Sequence, residues 1–167
     1  MAPILVLIGP MGAGKSTVGR AVAEALDCEF ADTDLLIEAD QGKSVSEIFV
    51  EDGEQHFRLV EESVVIDALR EQSGVLSLGG GAITSELVQT ELKRATGKKI
   101  FLDISLSSVA PRVGFDTARP LLMVNPRQKW SELMSARRPI YQSLADETID
   151  VSELSVQEVV AKVMAVL

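Results

Sequence analysis

The segment that most restricts how this chain can fold lies at its start. Pro3-Ile4-Leu5-Val6-Leu7-Ile8 is continuous and apolar, and Gly9-Pro10-Met11-Gly12-Ala13-Gly14-Lys15-Ser16 follows without a gap. An unbroken apolar run with Pro only at its head reads as a strand buried on both faces. The glycine-rich segment fits the pattern G-x-x-x-x-G-K-[ST]. From Lys15 to Leu26, Val18, Ala21, Val22, Ala25 and Leu26 then recur at helical spacing on one face. Strand, loop and helix in that order form a phosphate cradle. Glycines let the backbone curl so that successive N–H groups meet phosphate oxygens, and the helix N-terminus adds its dipole. Gly12, Ala13, Gly14 and Thr17 belong to this cradle. Lys15 brings a point charge to the β/γ-phosphates, and the Ser16 hydroxyl can ligate Mg²⁺. A plain glycine turn with a chance Lys-Ser is the alternative.

Further strands are expected at about Glu29–Ala31, Val75–Leu78, Lys99–Ile104 and Thr148–Val151. Helices are expected from Ser44, over Glu54–Glu71, from Ser85 to Ala95, from about Ser107, over Arg127–Leu144 and from Ser155 to the end. Ser44-Val45-Ser46-Glu47 and Ser155-Val156-Gln157-Glu158 have the form of capping boxes. Pro111 is expected near a first helical turn, and Pro139 to disturb its helix. Phe115 to Asn125 lacks a period and reads as a loop. Strands alternating with helices give an α/β fold with a five-stranded parallel sheet flanked by helices. At 167 residues one domain suffices, spanning 1–167. The excursions Asp34–Leu59 and Phe115–Asn125 lie between core units, where moving parts are expected.

A net charge of −9 argues against binding nucleic acid or an anionic membrane through bulk charge. The stretch Arg112–Arg138 runs the other way, with six basic and two acidic residues. A local basic cluster on an acidic protein suits a small anion. One cysteine, Cys28, excludes an internal disulfide and reads as buried packing. No apolar run is long enough to span a membrane and no basic leader precedes the first strand, so the expected location is cytoplasmic.

Asp32-Thr33-Asp34 falls at the carboxyl end of the second strand, where open parallel sheets bind ligands. A carboxylate there can hold Mg²⁺ through water or accept a hydrogen bond from an attacking hydroxyl, or it can simply cap a helix. Gly79-Gly80-Gly81-Ala82 ends the third strand and allows close approach of a ligand. Arg58, Arg119 and Arg137 are candidates for bidentate anion recognition, with solvated helix faces as the alternative. Arg20 and Arg70 fit that alternative. His56 has no partner for a metal site or a triad and reads as exposed; Trp130 and Tyr141 sit at core spacing.

Together these segments resemble the shikimate kinases, small P-loop kinases. Residues 9–17 are similar to the family's phosphate loop, and Asp32-Thr33-Asp34 to its acidic motif. Asp52-Gly53-Glu54-Gln55-His56-Phe57-Arg58 resembles its G-E-x-x-F-R segment, and Gly79–Ala82 its glycine motif. Thr117-Ala118-Arg119-Pro120-Leu121-Leu122 and Arg137-Arg138-Pro139-Ile140-Tyr141 resemble its R-P-L-L lid and R-x-P-x-Y motifs. The resemblance implies a three-layer P-loop NTPase fold with a substrate-binding region at about 34–60 and a lid at about 112–125. It implies ATP as co-substrate, with Mg²⁺ on Ser16 and in the outer sphere of Asp32. Asp34, Arg58, Gly80 and Arg137, with Gly79 and Gly81 beside them, would hold shikimate; Arg112 would stack on adenine, and Arg119 would reach over the phosphates. Lys15, Asp34 and Arg119 would carry the transfer to the 3-hydroxyl, a step of aromatic amino-acid biosynthesis, in a monomer. Where the family often sets Arg and Pro against adenine, this chain has Asp150-Val151-Ser152-Glu153-Leu154-Ser155-Val156. Two other functions share the core motif: a gluconate- or nucleoside-monophosphate-type kinase, and a nucleotide-dependent switch without transfer activity.

Overall fold

A computed structural model describes residues 2–113 and 125–167. Five parallel strands form one sheet: β1 Leu5–Ile8, β2 Phe30–Asp32, β3 Val75–Ser77, β4 Lys98–Asp103 and β5 Glu147–Asp150. Their spatial order is β2-β3-β1-β4-β5. The helices are α1 Lys15–Ala25, α2 Thr33–Gln41, α3 Val45–Glu51, α4 Glu54–Glu71, α5 Glu86–Arg94, α6 Leu106–Val113, α7 Pro126–Leu144 and α8 Val156–Val166. The three-layer α/β arrangement expected from the alternating pattern is present, and all four residues of β1 are buried.

The strand order decides where a ligand can bind. β1 pairs in parallel with β3 on one side and β4 on the other, Leu5 lying opposite both Val75 and Lys98. After β1 the chain passes to the edge strand β2 and back to β3; after β3 it crosses to β4. The order therefore reverses at β1, and a crevice opens beyond the carboxyl ends at such a switch point. Residues 9–17, Asp32–Asp34 and Gly79–Gly81 all follow strand ends on that rim.

Two apolar clusters support it. The main core packs the sheet against Val18, Val22, Val65, Ala68, Leu92 and Val159 among others. A smaller cluster of Ile37, Ile48 and Phe57, backed by Val45, Phe49, Val60 and Val64, ties α2 and α3 to α4. Helix α4 thus buries two faces, with Val65, Ala68 and Leu69 in the main core.

Several local expectations need correction. The buried face of α1 is Lys15, Val18, Gly19, Val22 and Ala23; Ala25 is exposed, and Ala21 and Leu26 are half-buried. Gly19 joins that face because a Cβ there would lie 2.5 Å from the Phe30 ring. Helix α2 was not anticipated. Pro111 lies inside α6, past its first turn. Helix α7 stays continuous through Pro139, the missing N–H costing one bond that neighbouring packing tolerates. Cys28 is half-buried against the core, and burial pushes its thiol pKa up. Both capping boxes are formed, Ser44 with Glu47 and Ser155 with Glu158. His56 is exposed. The loop expected at Phe115–Asn125, with Arg119, lies outside the described residues apart from Asn125. Among the described residues no helix is long and apolar enough to cross a membrane.

Candidate functional site

The phosphate loop begins where β1 ends. Gly12 and Gly14 take φ of 86° and 91°, the left-handed region that only glycine enters without strain, and Gly14 is the N-cap of α1. The loop closes on itself through Lys15, whose Nζ donates to the carbonyls of Gly9 (2.9 Å) and Pro10 (3.0 Å). A buried ammonium on two loop carbonyls sits at the centre of the cradle, poised beside the space a phosphate chain would take.

Ser16, the next residue, donates its hydroxyl to Oδ2 of Asp32, at the end of β2. The other oxygen of that carboxylate, Oδ1, accepts from the backbone N–H of Asp34 (3.0 Å) and so caps α2. The capping reading of the acidic motif therefore holds for Asp32, while its second oxygen faces Ser16. A hydroxyl and a carboxylate side by side are hard oxygen donors of the kind Mg²⁺ takes. Among the described residues no group of three or more acidic, His or Cys side chains could hold a metal by itself. A cation here would need oxygens from phosphate and water.

The acceptor side is built by α2, α4, the glycine turn and α7. Arg58 Nη1 donates to Glu61 Oε2 at 2.5 Å, one helical turn on, and Glu54 lies 3.8 Å away. Glu61 is only 3% exposed. Burial pushes its pKa up, while Arg58 and then Arg137 oppose that rise. Arg137 is also buried, and burial lowers its pKa. The three glycines serve by lacking volume, since none has a left-handed φ. A Cβ on Gly79 would come within 2.7 Å of Asp34 Oδ1 and 3.0 Å of Glu61 Oε1, and one on Gly81 would collide with the Arg58 guanidinium. The Gly79 N–H donates to Thr33 Oγ1 (2.9 Å), which ties the turn to the start of α2.

Two cavities meet here. One, about 470 Å³, is walled by Asp34, Phe49, Phe57, Arg58, Glu61, Gly81 and Arg137. The other, about 560 Å³, is walled by Gly12, Gly14, Lys15, Thr17, Gly79 and Arg112, together with Leu154, Ser155 and Val156. Met11, Ser16, Asp32, Asp34 and Gly80 line both. One chamber is lined by the glycine-rich loop with Lys15 and Arg112, the other carries three arginines, Arg20, Arg58 and Arg137, and their common wall holds the acidic motif.

Of the candidate site residues, Arg119 falls outside the described residues, with the rest of its motif Thr117–Leu122. Ala13 is buried beneath the loop. Gly79 faces the phosphate chamber, Gly81 the other, and Gly80 both. Of the segment that departs from the family pattern, Leu154, Ser155 and Val156 line the same cavity as Arg112, and the Ser155 hydroxyl is engaged in capping α8. Glu61 escaped notice. Its spacing from Phe57 and Val65 puts it on the buried face of α4, but a lone Glu in a helix gives no sign that it is buried. Arg20 is exposed, as expected of a solvated face, and it also stands 5.4 Å over the Phe30 ring and lines the arginine chamber. Trp130 and Tyr141 are core residues, as spacing suggested, and they also reach the site with their polar tips.

The shikimate kinase family model matches residues 11–167. A shikimate kinase from Thermobifida fusca is 51% identical over 156 residues, covering 93% of this chain and 90% of its own. The structure of shikimate kinase from Acinetobacter baumannii in complex with shikimate superposes with a TM-score of 0.93 at 37% identity, covering 99% of this chain and 93% of that one. That of shikimate kinase from Aquifex aeolicus gives 0.82 at 32% identity, covering 96% and 94%.

Proposed function

This chain belongs to the shikimate kinase family, ATP-dependent phosphotransferases of aromatic amino-acid biosynthesis, and on that premise we propose how its residues divide the transfer. The supporting observation is the meeting of a phosphate chamber and an arginine chamber at Asp34, Ser16, Asp32 and Gly80. A phosphoryl donor in one and a hydroxy-acid in the other would have their reacting ends at that wall. ATP occupies the first chamber, its phosphates on the loop N–H groups and Lys15 and its base toward Arg112. Shikimate occupies the second, its carboxylate on Arg58 and Arg137 and its ring hydroxyls toward Asp34 and Gly80.

In the transfer the 3-hydroxyl oxygen of shikimate bonds to the γ-phosphorus and the bond to the β–γ bridging oxygen breaks. The products are shikimate 3-phosphate and ADP. The transition state is loose, so positioning and charge neutralisation do most of the work. Lys15 neutralises charge growing on the leaving phosphate oxygens. Asp34 orients the attacking hydroxyl and accepts its proton late. Ser16 and Asp32 fit Mg²⁺, which when bound with ATP supplies further neutralisation of phosphate charge. Arg119 closes over the phosphates from the lid at about 112–125, and the region at about 34–60 serves the acceptor. We read residues 1–167 as one domain, monomeric and cytoplasmic.

The test is an ADP-release assay with shikimate, quinate, gluconate and nucleoside monophosphates. Turnover should require shikimate. Equal phosphate release without any acceptor would indicate a nucleotide switch, and preference for gluconate or a monophosphate would reassign the arginine chamber.

A further inference from the structure

Helix α7 places Arg137 in the wall of the arginine chamber and two aromatic side chains against the loops that line the chambers. Trp130, Met134, Arg137, Tyr141 and Leu144 are its buried residues, and Trp130 and Tyr141 stand three turns apart, about 16.5 Å along the axis. Each aromatic ends in a polar atom placed on a loop carbonyl. Trp130 Nε1 donates to the carbonyl of Met11 (3.2 Å), within the phosphate loop. The Tyr141 hydroxyl donates to the carbonyl of Gly80 (2.5 Å), within the glycine turn. Arg137, one turn earlier on the helix, lies beside the Tyr141 hydroxyl and the two groups interact electrostatically.

We propose that Trp130 and Tyr141 are positioning residues, each registering one substrate loop against α7: Tyr141 the acceptor turn and Arg137, Trp130 the nucleotide loop. This rests on the assignment of the two chambers given above.

A peptide unit is planar, so pinning the Gly80 carbonyl also fixes the direction of the Gly81 N–H on its far side. Glycine turns have no side chain to hold them, and Gly80 has the widest backbone freedom of any residue. The Tyr141 ring is itself fixed, fully buried and stacked on Phe101 with centroids 4.9 Å apart. Burial pushes its phenol pKa up to about 12, so it remains a donor at physiological pH. Because Arg137 lies beside the same hydroxyl, one side chain borders both the turn and the guanidinium. Trp130 does the equivalent for Met11, which lines both chambers. A core role alone would need two buried rings, and phenylalanine would serve.

The chain has one tyrosine and one tryptophan. Tyr141→Phe should raise the shikimate KM by about 5- to 50-fold, because a buried acceptor loses its partner, with the ATP KM within about twofold. Trp130→Phe should show the reverse split. Arg137→Ala is the control on the chambers themselves. If it raises the shikimate KM while Tyr141→Phe does not, the positioning role fails and the acceptor assignment stands. If neither changes it, the acceptor assignment fails first. Equal changes in both constants for either aromatic variant mark a merely structural residue and also overturn the proposal. Should a variant not fold, 3-fluorotyrosine and 5-fluorotryptophan label single sites in the intact chain. The Tyr141 resonance should move with saturating shikimate and the Trp130 resonance with ADP; both moving together with either ligand, or neither moving, refutes separate registration.

Discussion

Arg58 and Glu61 form an ion pair at 2.5 Å in which the carboxylate is almost wholly buried and the guanidinium only partly so. The buried partner thus holds the more exposed one over Gly81, whose missing side chain leaves room for it. Glu61→Gln keeps the shape and a hydrogen-bond acceptor but loses the charge. It should raise the shikimate KM about five- to tenfold, the difference between a charge-assisted and a neutral bond, with the ATP KM unchanged. Steady-state kinetics with each substrate varied in turn will tell; an unaltered shikimate KM means that Arg58 finds its place without Glu61.

The same substitution should reshape the dependence of stability on pH. Burial raises the Glu61 pKa above its ordinary 4.5, with Arg58 opposing. A carboxyl whose folded pKa lies above its unfolded one contributes stability below the unfolded value and loses it as pH rises through the folded value. Glutamine does not titrate. The Tm of Glu61→Gln minus that of the wild type should therefore climb as pH rises from 4.5 through the raised pKa, and then level off. Thermal melts across that window would show a flat or falling difference if the folded carboxyl is not shifted upward.

Lys15→Met removes the ammonium from the carbonyls of Gly9 and Pro10 as well as from the phosphates. The fold should persist with a lowered Tm, and transfer should fall by at least about 10²-fold, as for deletion of one transition-state charge contact. Circular dichroism and kcat measured together separate the two effects. Activity within a few-fold of wild type would contradict the phosphate-loop role.

The sequence carried the frame of the molecule because its signals are local. The apolar run before Gly9, the paired capping boxes at Ser44 and Ser155, and the spacing of Phe57 and Ala68 each depend on residues a turn or two apart. Helix α2 was obscured because its start, Asp32-Thr33-Asp34, carries chemistry, and its end, Asp40-Gln41-Gly42, has the composition of a turn. In fact Asp32 caps it and Gly42, at φ 64°, ends it. The face of α1 was misjudged at Gly19, where a missing side chain marks burial against Phe30 that no hydrophobic count can register. The motifs of the site were legible, but their sharing of one wall was not. Glu61, and the carbonyls that Trp130 and Tyr141 reach, are set by contacts between segments 61 or more residues apart in sequence for the two aromatics. For Glu61 a charge at a buried position looks, in one dimension, like any solvated helix residue.

Arg119, beside Pro120 in the sequence, is proposed above to reach over the phosphates. If it meets phosphate chiefly on closure, Arg119→Ala should lower kcat more than it raises the shikimate KM. Loss of shikimate affinity at unchanged kcat would move this arginine into the acceptor chamber.

The pair Arg58 and Arg137 tests the identity of the acceptor most directly. Both line the 470 Å³ chamber, and Glu61 interacts with both. Arg20, Arg58 and Arg137 stand against Asp32, Asp34, Glu38 and Glu61 around the chamber, so an incoming carboxylate would be held by direct pairing with Arg58 and Arg137 and not by net charge. Charge-assisted hydrogen bonds of that kind contribute roughly 1.5–3 kcal/mol each. Removing either arginine should weaken shikimate binding by about 10- to 150-fold while ATP binding barely changes. Arg137→Ala should be the more costly, because its guanidinium is the more buried of the two. Lysine should rescue poorly at either position, lacking the planar fork. The double variant should lose less than the summed effects, since both groups would hold one carboxylate and share Glu61. The matching ligand is shikimic acid methyl ester, which keeps the ring hydroxyls and loses the charge. It should be a poor acceptor for the wild type, and the two arginine variants should discriminate less against it. Equal phosphorylation of ester and acid by the wild type would mean that these arginines do not recognise a carboxylate, and their place in shikimate binding would have to be given up.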